Sequence, residues 1–221
     1  MQQFREHSRL SSMLWLLAGS ILYLSLGYTE MQGSDLWWHI AAGREILQNG
    51  SLWLTDSWSF TTANAAWINH EWLADIVYYN WVGLFGLESL VYWKWLLVIS
   101  TYVVLQVSLN RVGAHPAAGF ICAVVAVAVA APFIDIRPHL YSLLGFTVLI
   151  YLLLNKTTSL WKLGLLFVVW VNVHGGFIFG LMALAILVFP WRNLKAEALT
   201  RPALIVLVCT MACLINPDGI N

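Results

Sequence analysis

The chain has 221 residues, 60% of them hydrophobic and only 10% charged, and its 11 basic and 11 acidic side chains cancel at neutral pH. Soluble domains carry roughly 25% charged residues, so an ordinary water-soluble globule is excluded, and the lack of a basic patch excludes a nucleic-acid partner. Apolar runs approaching the length that spans a bilayer, about 17 to 25 residues, recur along residues 1–221 and predict a single membrane-embedded domain with membrane lipids as its surroundings.

The first apolar run, 13–29, follows Arg5 and Arg9 and has no small-residue cleavage site after it, which predicts a retained helix and not a signal peptide. Residues 30–88 then form one large loop, and connections of that length are functional or disordered. Its wealth of Trp, Ile and Leu argues for folding on the membrane surface as short amphipathic helices. The first of these starts at Ser34 or Asp35, both good N-cap types, and runs to the turn signal Asn49-Gly50. Asp35 and His39 are four apart and share its face. Trp37, Ile40, Ala41 and Leu47 are free to meet lipid or the bundle. Asp56 begins a turn, and Asn69 caps a helix over 70–86 that carries Glu71 and Asp75 on one side.

The segment 72–86 is aromatic-rich, contains Asp75 and ends in glycine, which suits a helix lying at the interface. Further spans are expected over 89–108, 117–133, 139–154, 163–177, 176–190 and 202–215. Two of them meet at Gly175-Gly176, where a hairpin or broken helix is needed. Non-helical backbone at that depth must be buried in protein or face water. The fold class is therefore all-α: a polytopic integral membrane protein of about seven transmembrane helices, with amphipathic juxtamembrane helices in a large first outer loop. With a cytoplasmic N-terminus, Arg5, Arg9, Arg111, Lys156, Lys162, Arg192, Lys195 and Arg201 stay inside. Glu30, Asp35, Glu45, Asp56, Glu71, Asp75, Glu88, Asp135 and Asp218 then lie outside, as the positive-inside rule asks. Counting 72–86 as a span would reverse every later loop.

Several outer residues carry chemistry. Asp35 reads equally as a general base and as an N-cap worth about 1 kcal/mol. His70-Glu71 could bind a substrate polar group or a metal, or be a solvated helix start. Arg137 and His139 fall in the string Asp135-Ile136-Arg137-Pro138-His139. The guanidinium there suits a phosphate bidentately, or an ion pair with Asp135 or another loop acid. Lys94 lies inside a span, a default functional signal unless its chain snorkels outward. Asn172 and His174 stand beside the two glycines, where a lone imidazole is ordinarily a satisfied core residue. His39, His70, His139 and His174 all fall on the side of the acids, which predicts one shared polar cavity. Cys122, Cys209 and Cys213 lie in apolar runs and read as small hydrophobes.

The stretch SDLWWHIAAGREILQNG after the first span, followed by NHEWLADIVYYNWVGLFG, resembles the first outer loop of the C-type (GT-C) membrane glycosyltransferases. The bacterial relatives of protein O-mannosyltransferases and of the lipid A aminoarabinose transferase are the nearest in pattern. The segments IRPHLYS, WVNVHGGFIFG and INPDG resemble recurring stretches of an uncharacterised bacterial branch of that superfamily. The resemblance implies sugar transfer from a polyprenyl-phosphate carrier on the outer face of a bacterial inner membrane. It implies Asp35 as the catalytic residue or acceptor-positioning acid, and places His70 and Glu71 in the site. His39, Arg137, His139, Asn172 and His174 complete the expected substrate-binding set, with no metal ligands assigned and the cofactor, a divalent metal included, left open. Members of the superfamily commonly have more spans and often a soluble C-terminal domain. The alternative is thus a noncatalytic subunit of a larger membrane complex, a scaffold contacting lipid, pigment or partner membrane subunits.

Overall fold

The computed structural model describes residues 2–26, 28, 35–113, 115–155 and 158–219. Ser34, Glu30 and Lys156 lie outside the described residues, as do the side chains of Arg5 and Arg9. The chain is mostly helical: α1 (Gln2–Leu26), α2 (Asp35–Asn49), α3 (Trp72–Phe85), α4 (Leu90–Arg111), α5 (Pro116–Ala130), α6 (His139–Leu153), α7 (Leu160–Val173), α8 (Phe177–Val188) and α9 (Ala196–Cys213). Between α2 and α3 a two-stranded antiparallel ladder joins β1 (Leu54–Thr55) to β2 (Ala66–Trp67), with Leu54 opposite Trp67. The sequence predicts only short helices in this loop, and the structure corrects that: a small hairpin lies between its two helices.

Helix ends follow local chemistry. Gly50 at φ +62°, Gly86 at +83° and Gly113 at +88° stop α2, α3 and α4 in the left-handed conformation that glycine adopts without a Cβ clash. At the start of α5, Pro116 occupies the first turn, where its missing N–H is not needed, and His115 Nδ1 accepts the Ala117 N–H at 3.3 Å.

Three segments are long and apolar enough to cross a membrane: Leu87–Arg111, Pro116–Phe133 and Ala196–Cys213. Four more apolar helices are shorter, Leu10–Leu26, His139–Leu153, Leu160–Val173 and Phe177–Val188. At 1.5 Å per residue the 12 residues of α8 cover about 18 Å, against about 30 Å of hydrocarbon. The α3 segment belongs to neither group, and its Asp75 is fully buried against α2. Outward faces are apolar, with Ile121, Val125 and Val129 on α5 and Leu204, Leu207 and Met211 on α9 exposed. Contiguous apolar surface of that kind belongs against lipid or another protein.

Two cores hold the bundle. Tyr23, Val98, Tyr102, Ala123, Val127 and Ile134 join α1, α4 and α5. Inside this group Tyr23 donates to Gln106 Oε1 at 2.9 Å, beside Gly19. The larger core unites α2, α3 and α6 to α9 around Leu36, Tyr78, Phe167, Trp170, Leu184 and Cys209. Trp170 is its keystone. A Cβ on Gly145 of α6 or on Gly180 of α8 would lie 2.7 and 2.6 Å from the indole, so these two glycines form the slot that α7 fills.

The two ends of α6 locate the charged residues. Near its N-terminus, Arg137 pairs with Asp35, and Ser142 meets His174 of the α7–α8 break. Near its C-terminus, Arg111 donates to Tyr151 at 2.6 Å and stacks 3.9 Å above its ring. Asn155, Thr158 and Arg201 border a common cleft at that same end. Asp35, Glu71, Asp75 and Asp135 and the imidazoles of His39, His70 and His174 thus gather at the end opposite Arg111 and Arg201. His115 and Glu197 lie at the Arg111 and Arg201 end.

Candidate functional site

The site forms where α2 crosses α3. The crossing is close because residue 43 is glycine: a Cβ there would overlap the Asp75 carbonyl oxygen and sit 2.6 Å from its carbon. Gly43 lies one turn after His39, and the approach brings the imidazole onto the Asp75 carboxyl. His39 Nδ1 lies 2.6 Å from Asp75 Oδ1, while Asn69 Nδ2 donates to Oδ2 at 2.7 Å. Burial pushes the Asp75 carboxyl above its usual range, and the His39 hydrogen bond works against that shift. With Nδ1 occupied by Asp75, His39 turns Nε2 toward Glu71, 3.8 Å from Oε2.

Glu71 is the hub. Its Oε1 lies 3.6 Å from His174 Nε2 and 4.0 Å from His70 Nε2, so three imidazoles surround one carboxyl at ion-pair distance. Desolvation raises its pKa, His39 and His70 oppose the rise, and the negative charges of Asp75 and Asp35 add to it. Locally, Glu71 sits at the start of α3, and its N–H donates to Asn69 Oδ1 at 3.1 Å. The N-cap position of α3 is thus Glu71 and not Asn69 as expected from sequence; Asn69 lies two residues before it, where it closes a turn onto the Glu71 N–H and binds the Asp75 carboxyl.

The hydrogen-bond network assigns the His174 tautomer. The Gly176 N–H can only donate, and it donates to Nδ1 at 3.0 Å. Ser142 Oγ, 2.6 Å from the same nitrogen, accepts from Trp170 Nε1–H at 2.8 Å and so gives its own proton to Nδ1. Nδ1 is thus an acceptor, and neutral His174 presents Nε2–H to Glu71. Gly176 is required here, since a Cβ would overlap Ser142 Oγ and lie 2.8 Å from Nδ1.

Arg137 anchors the rim. Its Nη1 lies 3.2 Å from Asp35 Oδ2 and its Nε 3.5 Å from Asp135 Oδ2, with all three side chains partly exposed. Asp35, named as base or cap, is the first residue of α2, and its carboxylate engages Arg137. His70 is exposed and rests against Gly175. His139 points Nε2 at the Phe133 carbonyl at 2.9 Å.

Asn172 has a different setting. Its Oδ1 accepts from Trp72 Nε1 at 2.8 Å and Asn216 Nδ2 at 3.3 Å, and its amide donates to the carbonyls of Val168 and Ile215. The side chain ties α3, α7 and the segment after α9 together beside a groove of about 450 Å³, and no amide proton remains for a ligand. Lys94 does not snorkel: it is fully buried, with Asp135 acting on it electrostatically.

The structure brings Asp35 to Arg137 and brings His39, His70 and His174 to Glu71, with Asp35 near enough to act on the Glu71 carboxyl. Sequence reasoning missed Asp75 as the His39 partner, and missed Ser142 and Trp170 behind His174. The spacing of Asp75 one turn after Glu71, and of Gly43 one turn after His39, was the available signal. Among the described residues no group of three or more His, Cys, Asp or Glu side chains is arranged to hold a metal ion. Such a network can orient a hydroxyl, take up its proton and offer a cation to an anionic group. Comparison with protein-family models, with curated proteins and with solved structures yields no match to this chain.

Proposed function

We propose that the chain is a polytopic membrane glycosyltransferase that moves a sugar from a polyprenyl-phosphate carrier to a hydroxyl acceptor on the outer face of a bacterial inner membrane. In this reading α1 and α4 to α9 are seven spans, the N-terminus is cytoplasmic, and α2, the hairpin and α3 lie on the outer surface. The observation that carries it is the Asp35–Arg137 ion pair at 3.2 Å, next to the carboxyl-imidazole cluster around Glu71 and at the end of the bundle away from Arg111 and Arg201. Ionisable groups gathered in an apolar bundle are expensive, and a scaffold would have no need of them.

The geometry suits an exchange of partners. A donor phosphate offers two oxygens to the guanidinium, a stronger match than the single contact made by Asp35. When the phosphate takes Arg137, the Asp35 carboxylate is released to accept the proton of the acceptor hydroxyl. The acceptor oxygen then bonds to the sugar carbon as the bond from that carbon to phosphate oxygen breaks, and Arg137 steadies the departing phosphate. Asp75, His39 and Glu71 fix the polar wall beside this exchange.

The test is turnover by the purified chain in nanodiscs with a panel of short-chain polyprenyl-phosphate sugars and hydroxyl acceptors, read as released polyprenyl phosphate. Asp35→Asn abolishes release while the protein stays folded, and Arg137→Ala does the same. Parental rates in both variants would remove the pair from any mechanism.

A further inference from the structure

The hairpin carries a second feature, which adjoins the acid-imidazole cluster where the Trp38 ring lies against His39, centroids 3.7 Å apart. The turn over 56–65 is organised by Asp56, whose Oδ1 accepts the backbone N–H groups of Trp58 at 3.0 Å and Ser59 at 2.9 Å. Its Oδ2 accepts the Thr62 hydroxyl at 2.5 Å. The Thr62 bond, with the backbone bonds behind it, holds this carboxyl below the usual carboxylate range, so it keeps its negative charge. Above the turn opens a pocket of about 670 Å³ lined by Trp38, Asp56, Trp58, Ser59, Thr62 and Trp67.

The three indoles are steeply inclined. Trp58 and Trp67 meet at 68° with centroids 5.2 Å apart, and Trp38 and Trp67 at 56° with centroids 5.9 Å apart. A stacking platform for a flat sugar ring would expose one face, whereas inclined rings wall a volume. Ring faces are electronegative, and here an ionised carboxylate joins them. Three acceptor positions of that carboxylate are already filled, so it offers a ligand charge more than hydrogen bonds. Such walls suit a bulky cation with an apolar surface and no need of hydrogen-bond acceptors.

We propose that this pocket binds a quaternary or N-methylated ammonium group, the chemistry carried by choline and by choline-type lipid head groups. Trp38, Trp58 and Trp67 supply the cation–π walls, and Asp56 supplies the neutralising charge. The inference does not rest on the transferase reading, because the pocket lining includes neither Asp35 nor Arg137 and ligand binding there is read without turnover.

The experiment titrates the purified full-length chain in phosphatidylglycerol nanodiscs with choline chloride and with its neutral isostere 3,3-dimethyl-1-butanol, read by tryptophan fluorescence. Choline saturates and binds at least about fivefold more tightly than the isostere. Trp58→Ala weakens choline by about fivefold or more, the ~1 kcal/mol of a partly exposed cation–π contact. Trp58→Phe, which keeps an aromatic wall, falls between, and Trp161→Ala, exposed on α7, leaves binding unchanged. Phosphatidylcholine in the nanodiscs competing with choline identifies a lipid head group as the source, and undiminished choline binding there identifies a free solute. Equal binding of the isostere, tighter binding of methyl glucoside than of choline, or quenching of Trp58 by spin-labelled lipid chains would each overturn the proposal.

Discussion

Replacing Gly43 by alanine tests how the His39–Asp75 pair is held. An added Cβ would overlap the Asp75 carbonyl oxygen, sit 2.6 Å from its carbon and 2.9 Å from Tyr79 Cβ. Two of these neighbours are backbone atoms of α3, so relief requires the helices to part. Reaching ordinary packing at 3.4 Å means an opening of at least about 0.8 Å at the carbonyl carbon alone. That shift takes the 2.6 Å His39–Asp75 contact to the limit of hydrogen bonding. Alanine favours the α2 helix by about 1 kcal/mol. Against this stand overpacking at about 1–3 kcal/mol and a weakened charged hydrogen bond at about 1.5–3 kcal/mol. The clash and the lost bond win, with a net destabilisation of roughly 2–4 kcal/mol. At about 2–4 °C per kcal/mol for a chain of this size, the midpoint falls by about 4–16 °C. The assay is thermal unfolding in detergent, followed by thiol labelling of the buried Cys209 and Cys213. An alanine variant as stable as the parent, with the His39 ring resonances unshifted, would refute the close crossing.

Other outcomes follow from the same geometry. Burial raises the Glu71 pKa in the folded chain, so its contribution to stability is complete below the ordinary carboxyl range and is lost as pH climbs through the raised value. Glu71→Gln therefore flattens the decline in melting temperature above about pH 4, and a variant with the parental pH profile would contradict the burial. Gly145→Ala drives a Cβ into the Trp170 indole and destabilises by about 1–3 kcal/mol, measured by urea unfolding. Asn172→Ala strips the Trp72 indole and the Ile215 carbonyl of their partner, which frees the segment after α9 and speeds its proteolysis beyond Cys213. Arg137→Lys keeps the charge but loses the planar fork, so it retains less than a tenth of any transfer activity and nearly all of the stability.

Much of this was readable in the residues. Each apolar run predicted from sequence corresponds to a helix, because hydropathy reports burial in apolar surroundings whatever the neighbours are. Asp35 and Asn49-Gly50 mark the two ends of α2, since helix starts and left-handed glycines are local devices, whereas α3 begins two residues later than expected, with Glu71 and not Asn69 at its N-cap. The grouping of His70, Glu71 and His174 and the pairing of Asp35 with Arg137 could be anticipated only as a shared side of the bundle. Their partners are fixed by contacts between residues distant in sequence. Asp75 meets His39 because Gly43 lets two helices touch, and the one-turn spacings of Glu71 to Asp75 and of His39 to Gly43 mark a face on each helix without saying that the two faces meet. Asn172 looked like a ligand because an amide in an apolar run is conspicuous, yet Trp72, Ile215 and Asn216 saturate it from elsewhere. The hairpin escaped notice because strands of two residues leave no alternating pattern.

The central claim is that the α2–α3 loop and the α5–α6 connection share one outer face. Site-directed labelling of a Cys122→Ser background with a membrane-impermeant maleimide, applied to intact cells, measures this directly. Ala63→Cys and Pro132→Cys label from outside, whereas Asn193→Cys labels only after permeabilisation. Labelling of Ala63→Cys and Pro132→Cys from opposite sides of the membrane would contradict the account.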